Sequence, residues 1–194
     1  MQLPVGQVMQ ALTGCDPEAC GMLAQEASAA SSREDGFKIV DPLDHRRLLT
    51  GLAWDSRTVV SGDVFIAIKG ERTDGNRYIA SALREGAALV IATEPIEEKV
   101  KALASEMGAA VVLVDDPYDA LARIAACNRS TLSCPVVGIT GSTGKTTTKD
   151  FVRAVLAERF AVVATEGNRN NEIGVPATVI AADGSTGALV VEMG

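Results

Sequence analysis

Gly141-Ser142-Thr143-Gly144-Lys145-Thr146-Thr147-Thr148 decides how this 194-residue chain folds. The apolar run Val136-Val137-Gly138-Ile139 precedes it and a helical pattern follows, so the segment reads as strand, glycine-rich loop, helix. Such a loop is a cradle for anionic oxygens. Glycines let backbone N–H groups turn inward, and the helix N-terminus adds a partial positive charge. Lys145 is placed to reach terminal phosphates, and the Thr146 hydroxyl is placed to sit on Mg²⁺. The common pattern G-x-x-x-x-G-K-[ST] has its first glycine where this chain has Ile139. Glycines stand instead at Gly138 and Gly141, and the shorter form G-x-x-G-K-T-[ST] fits. The plain alternative is a glycine-rich turn with a solvated lysine.

Composition narrows the classes. Hydrophobic residues make up 47% of the chain, enough for a buried core. Eighteen basic against 25 acidic residues give a net charge of −7. An acidic chain with no basic run is a poor nucleic-acid surface, so phosphate binding must be local. Cys15, Cys20, Cys127 and Cys134 form no C-x-x-C pair and His45 is the one histidine, which argues against zinc. Reduced thiols in a cytoplasmic protein are the expectation. No signal-peptide pattern opens the chain, and no stretch approaches the ~18 apolar residues of a membrane span.

Periodicity supplies the architecture. Val5, Val8, Met9 and Leu12 lie on one face of a short helix. Residues 15–46 lack a clear period and read as a surface insertion, expected to be mobile. Apolar runs at 64–68, 88–92 and 110–114 read as strands. Helical faces come from Tyr78, Ile79, Ala82 and Leu83, then Ile96, Val100, Leu103 and Met107, then Leu121, Ile124 and Ala125. Alternation of this kind predicts an α/β fold with parallel pairing. Thr131-Leu132-Ser133-Cys134-Pro135 is a plausible junction. Beyond it lie the phosphate loop, a helix with Phe151, Val152, Val155 and Leu156 expected to face inward, a strand over 160–164, a short helix from Val175-Pro176, and a strand Leu189-Val190-Val191 ending in Glu192. One long helix, one short helix and about three strands cannot complete a sheet covered on both faces. The chain is therefore read as the N-terminal part of a longer protein.

Three further clusters are candidates for chemistry. Glu192 ends a strand at the sheet edge where ligands gather, and it can hold Mg²⁺ or simply be solvated. The run Gly167-Asn168-Arg169-Asn170-Asn171-Glu172-Ile173-Gly174-Val175-Pro176 offers amides for phosphate or metal-bound water, or ordinary turns. Asp55-Ser56-Arg57 offers an arginine for a diphosphate or ribose, or a loop ion pair between Asp55 and Arg57.

Taken together, these segments resemble the ATP-dependent Mur ligases of peptidoglycan synthesis. The resemblance is carried by Asp55-Ser56-Arg57, Gly62 to Gly70, Asp74-Gly75, Gly138 to Thr148, Gly167 to Pro176 and Val191-Glu192-Met193-Gly194. It implies a UDP-sugar-binding α/β domain over 1–133, followed at 134–194 by the truncated start of a P-loop mononucleotide-binding ATPase domain. The run G-N-x-N-N-E-I-G-V-P points to the member that joins D-Ala-D-Ala to a UDP-N-acetylmuramoyl tripeptide. The implied reaction phosphorylates a substrate carboxylate with ATP and then admits the amine. By the match, Gly141, Ser142, Thr143, Gly144, Lys145, Thr146 and Thr147 cradle ATP. Thr146 and Glu192 hold Mg²⁺, Lys145, Thr146 and Glu192 are the catalytic set, and Asn168 and Asn171 line the cleft. Ser56 and Arg57 are candidate UDP contacts. A monomer that is inactive without the remaining domains is expected. The alternatives are the ligase that adds the third peptide residue and a nucleotide-binding module without ligase chemistry.

Overall fold

The structure is a computed structural model that describes residues 1–13, 37–39, 46–70 and 73–194. The described residues form two compact units, Gln2–Ala120 and Leu121–Gly194, with Met1 grouped in the latter. The division falls inside a helix, whereas the sequence pattern places the junction at 133/134. The expected insertion lies largely outside the described residues.

In the first unit the elements are β1 (Leu3–Pro4), α1 (Val5–Thr13), β2 (Phe37–Ile39), β3 (Leu48–Leu49), β4 (Leu52–Ala53), β5 (Val64–Ile66), α2 (Ile79–Arg84), β6 (Leu89–Ala92), α3 (Glu98–Glu106) and β7 (Ala110–Val114). A five-stranded sheet runs β2-β7-β6-β5-β4, and β1 pairs with β3 in a separate antiparallel ribbon. β4 to β7 are mutually parallel, with Val64 beside Leu89 and Leu89 beside Ala110. β2 joins the edge antiparallel to β7, so residues 37–39, read from the sequence as part of the mobile insertion, belong to the sheet.

The continuous apolar runs are explained by burial on both faces. Val64, Phe65, Ile66, Leu89, Val90 and Ile91 are all fully buried. Phe65, Val90 and Val111 share a cluster with Ile79, Ala82 and Leu83 of α2 and Ala104 of α3. Each such Leu, Ile or Phe contributes roughly 1.5–3 kcal/mol by leaving water. The ends of the helices are where the pattern overreaches. Tyr78 is 44% exposed on a 3₁₀ turn, and Met107 caps α3 at 38% exposure.

At the end of β5 the chain folds sharply back. The Gly75 amide donates to the Ile68 carbonyl at 3.0 Å, and a Cβ there would stand 2.7 Å from the Ile68 nitrogen. Glycine is required by this close approach. Asn76 then ties the turn to β6: its Nδ2 donates to Thr93 Oγ1 at 2.8 Å and its Oδ1 accepts from the Thr93 amide at 3.1 Å.

α4 (Pro117–Thr131) crosses the division between the units. Asp116 caps it, accepting the Tyr118 amide at 2.8 Å, as the Asp-Pro signal predicts. The second unit continues with β8 (Val136–Ile139), α5 (Lys145–Ala157), β9 (Val162–Ala164), α6 (Gly174–Ala181) and β10 (Ala188–Glu192). Its sheet is parallel in the order β8-β10-β9, so the last strand slots between the two earlier ones. Leu132, Ala182, Leu189 and Val191 form its core, with Val163, Val175 and Val179 packed against them. Asn128 of α4 fastens α6 by donating Nδ2 to the carbonyls of Val179 and Ala182, both at 2.9 Å.

One sequence expectation fails here. Phe151 and Val155 do not face inward; they are 69% and 72% exposed. Phe160 is also exposed and precedes β9 rather than opening it. The half-buried line on α5 is Lys145, Val152 and Leu156, with Lys149 fully buried between them. The apolar stripe is two residues wide, and the sheet covers one edge of it.

Candidate nucleotide-phosphate site

The strand order builds this site. Because β10 lies between β8 and β9, its terminal Glu192 is registered beside Ile139, two residues before Gly141. Its other neighbour, β9, runs directly into the asparagine-rich loop. Carboxyl ends of parallel strands where the order reverses are the usual place for a ligand.

The loop from Thr140 to Gly144 is exposed and turns into α5. Gly141 has φ +150° and Gly144 has φ +75°, conformations that side-chain-bearing residues rarely adopt. A Cβ at Gly144 would meet nothing within 4 Å, so the requirement is the dihedral and not space. Lys145 folds back over the loop, its Nζ donating to the Gly141 carbonyl at 2.7 Å. An ammonium thus stands above the glycine-rich turn at the start of a 13-residue helix, where the unpaired amides collect.

Glu192 is the second half of the site. It is 1% exposed, and its backbone amide is held by Thr165 Oγ1 at 3.0 Å. One carboxylate oxygen, Oε1, accepts from Thr146 Oγ1 at 3.0 Å and from Asn170 Nδ2 at 2.8 Å. The other, Oε2, is buried with no hydrogen-bond partner among the described residues. A buried carboxylate oxygen without a donor is costly and calls for a cation or proton. Among the described residues no three His, Cys, Asp or Glu side chains gather to cage a metal. Mg²⁺ does not need such a cage: it commonly takes one or two protein oxygens and completes its shell with phosphates and water. The Thr146 hydroxyl beside the Glu192 carboxylate fits that donor set.

The asparagines are distributed differently from the sequence expectation. Asn168 is exposed, and its carbonyl accepts the Asn170 amide at 2.8 Å. Asn171 Oδ1 accepts the Gly174 amide at 2.9 Å at the start of α6. Asn170, which the motif alone does not single out, is the one that reaches Glu192. Its carbonyl also accepts the Gly194 amide at 2.9 Å. Gly174 makes the tight return possible, since a Cβ there would lie 2.0 Å from the Arg169 carbonyl oxygen.

In the first unit, Arg57 is engaged by Asp55. Its Nε donates to Asp55 Oδ1 at 2.9 Å and its amide to the same oxygen at 3.0 Å. The side-chain hydrogen bond from Arg57 lowers the Asp55 pKa from 3.8 to about 2. Arg57 itself is 86% exposed, whereas Ser56 is buried on its 3₁₀ turn. The ion pair foreseen as one reading of this motif is formed, and Ser56 is turned inward.

Comparison with known proteins finds two family segments in this chain. Residues 48–129 match the family described as "Mur ligase family, catalytic domain", and residues 139–194 match the "Mur ligase middle domain". A UDP-N-acetylmuramoyl-tripeptide–D-alanyl-D-alanine ligase from Bacillus subtilis is 38% identical over 156 residues, covering 80% of this chain and 33% of the relative. A ligase of the same name from Synechocystis is 39% identical over 145 residues, covering 75% and 31%. Among solved structures, the MurF ligase from Thermotoga maritima in complex with ADP superposes with a TM-score of 0.61 at 36% identity, covering 73% of this chain and 31% of that one. The corresponding ligase from Acinetobacter baumannii gives a TM-score of 0.69 at 25% identity, covering 100% and 36%. The chain spans about a third of the length of these relatives. Two family segments in order along one polypeptide, with relatives that run through both, place the chain in the Mur ligase family.

Proposed function

We propose that the chain carries the sugar-nucleotide domain and the ATP phosphate site of a ligase that joins D-Ala-D-Ala to a UDP-N-acetylmuramoyl tripeptide, in the synthesis of peptidoglycan precursor. The observation that carries this reading is the unpaired, buried Oε2 of Glu192, set beside the Thr146 hydroxyl under a lysine-capped glycine loop. The names of the relatives, and the ADP in the Thermotoga structure, support it.

In this reading the loop from Gly141 to Thr147 wraps the phosphates with its amides, and Lys145 exchanges the Gly141 carbonyl for a phosphate oxygen. Thr146 and Glu192 would hold Mg²⁺, which would supply charge neutralisation at the phosphates. Asn170 keeps the carboxylate in place. A substrate carboxylate takes the γ-phosphoryl group, and the resulting acyl phosphate is open to the dipeptide amine, with phosphate leaving. A carboxylate needs this activation because its oxygen is otherwise a poor leaving group. Residues 1–133 serve the UDP-sugar, with Arg57 rather than buried Ser56 as the exposed contact.

Substrates of that kind support a reaction in the cytoplasm, and the chain is read as a monomer. Among the described residues no helix is long and apolar enough to cross a membrane. Calorimetric titration of the chain tests the proposal. It is expected to bind ATP in a magnesium-dependent manner and UDP independently of ATP. It is expected to form no amide bond alone, since it holds about a third of its relatives' length. Absence of magnesium-dependent ATP binding overturns the site, and dipeptide ligation by the chain alone overturns the expected inactivity.

A further inference from the structure

Lys149 is the one Lys or Arg side chain that is buried among the described residues, at 3% exposure. It stands one turn after Lys145 on α5. Its Nζ donates to the Gly167 carbonyl at 3.0 Å and lies 3.2 Å from Asp150 Oδ1, on a side chain that is 62% exposed. Burying an ammonium against a single carbonyl and a largely solvated carboxylate is less favourable than burying an apolar side chain of that length. Packing alone does not account for a lysine here, and the phosphate-binding role belongs to Lys145.

What Lys149 holds is the entry to the asparagine loop. Gly167 has φ +54° and leads into a turn closed by the Arg169 amide on the Glu166 carbonyl at 3.1 Å. The next residue is Asn170, whose side-chain amide sits on Glu192 Oε1. A continuous path therefore runs from the Lys149 ammonium through Gly167 and the turn to the Glu192 carboxylate.

We propose that Lys149 is a positioning residue for the metal site: by latching the Gly167 carbonyl it fixes Asn170 on Glu192 Oε1 and so leaves Oε2 for Mg²⁺. This rests on the reading of Thr146 and Glu192 as the magnesium-holding pair. A merely structural lysine would affect stability, whereas a latch affects the loop and the magnesium requirement specifically.

Lys149→Met keeps the length and removes the donors. Hydrogen exchange on the chain without nucleotide is expected to quicken over 166–172 while α5 and the first unit stay unchanged. In calorimetry, the magnesium concentration for half-maximal ATP binding is expected to rise about 10-fold or more, as for loss of a residue that orients a metal ligand. ATP affinity at saturating magnesium is expected to change less than about 2-fold, since the loop amides and Lys145 are retained. Asp150→Asn, which removes only an exposed partner, is expected to leave both readings unchanged. Asn170→Ala probes the other end of the path at a half-buried position, and it covers the case in which Lys149→Met does not fold. It is expected to raise the magnesium requirement in the same way.

An unchanged magnesium requirement in folded Lys149→Met or in Asn170→Ala overturns the proposal, as does exchange in Lys149→Met that quickens evenly across the second unit. Failure of the underlying metal reading shows itself separately, as ATP binding by the wild-type chain that ignores magnesium.

Discussion

Thr146 Oγ1 donates to Glu192 Oε1 across 3.0 Å, joining the first turn of α5 to the last residue of β10, 46 positions later. This contact closes the candidate phosphate site, and it exists because β10 is inserted between β8 and β9. Thr146→Val keeps the shape and removes the hydroxyl. It is expected to weaken the magnesium dependence of ATP binding while costing about 1.5–3 kcal/mol of stability, the usual worth of a hydrogen bond to a charged group. Calorimetry at two magnesium concentrations, with thermal unfolding alongside, checks both parts.

Lys145→Ala is expected to weaken ATP binding about 10-fold to 100-fold, the loss of one charge-assisted contact to phosphate. UDP binding is expected to be retained, because Lys145 belongs to the second unit. In a full-length ligase the same change is expected to lower turnover by orders of magnitude, because the cation also faces charge that develops in the transition state. Undiminished ATP affinity would remove Lys145 from the site.

Gly174→Ala introduces a Cβ 2.0 Å from the Arg169 carbonyl oxygen, with backbone rather than a flexible side chain in its way. The asparagine turn must shift, at an expected cost of about 1–3 kcal/mol. Denaturant unfolding followed on the second unit measures it. An unaltered midpoint would show that the turn is not as closely packed as described.

Asp55 gives a pH prediction. Its folded pKa of about 2 lies below the ordinary 3.8, chiefly through the hydrogen bond from Arg57. A depressed carboxyl favours the folded state above the unfolded pKa, and this contribution is lost as pH falls through the folded value. The window is therefore from about pH 4 down to about pH 2. An NMR titration is expected to find the low value, and Arg57→Gln is expected to return it toward 3.8. A carboxyl titrating near 4 in the unaltered chain would contradict the ion pair.

Phe151→Glu tests the corrected face of α5. With the ring 69% exposed, the change is expected to alter stability by less than about 0.5 kcal/mol. A loss of several kcal/mol in thermal unfolding would restore the inward-facing reading.

The correction at Phe151 shows where periodicity stops. Residues 151, 152, 155 and 156 define an apolar stripe, but a stripe does not say which of its edges the sheet will cover. Lys149 continues the covered edge at helical spacing from Lys145, Val152 and Leu156, and that alignment is visible in the sequence. Its polarity conceals it, because a lysine in a helix is by default a solvated one. The choice among Asn168, Asn170 and Asn171 is hidden for another reason. Three amides in four positions differ only by backbone direction, and the Gly167 and Gly174 turns set that direction.

By itself the sequence determined what depends on neighbours in the chain: the alternation of strands and helices, the Asp116 cap, and the glycine loop before Lys145. These follow from dihedral preference and local hydrogen bonding, which act over a few residues. Tertiary structure alone decided that Asn170 meets Glu192, that one carboxylate oxygen is left bare, and that Lys149 is buried against Gly167. Those outcomes depend on strand order, which brings together groups far apart in the chain and removes the water that would otherwise have satisfied them.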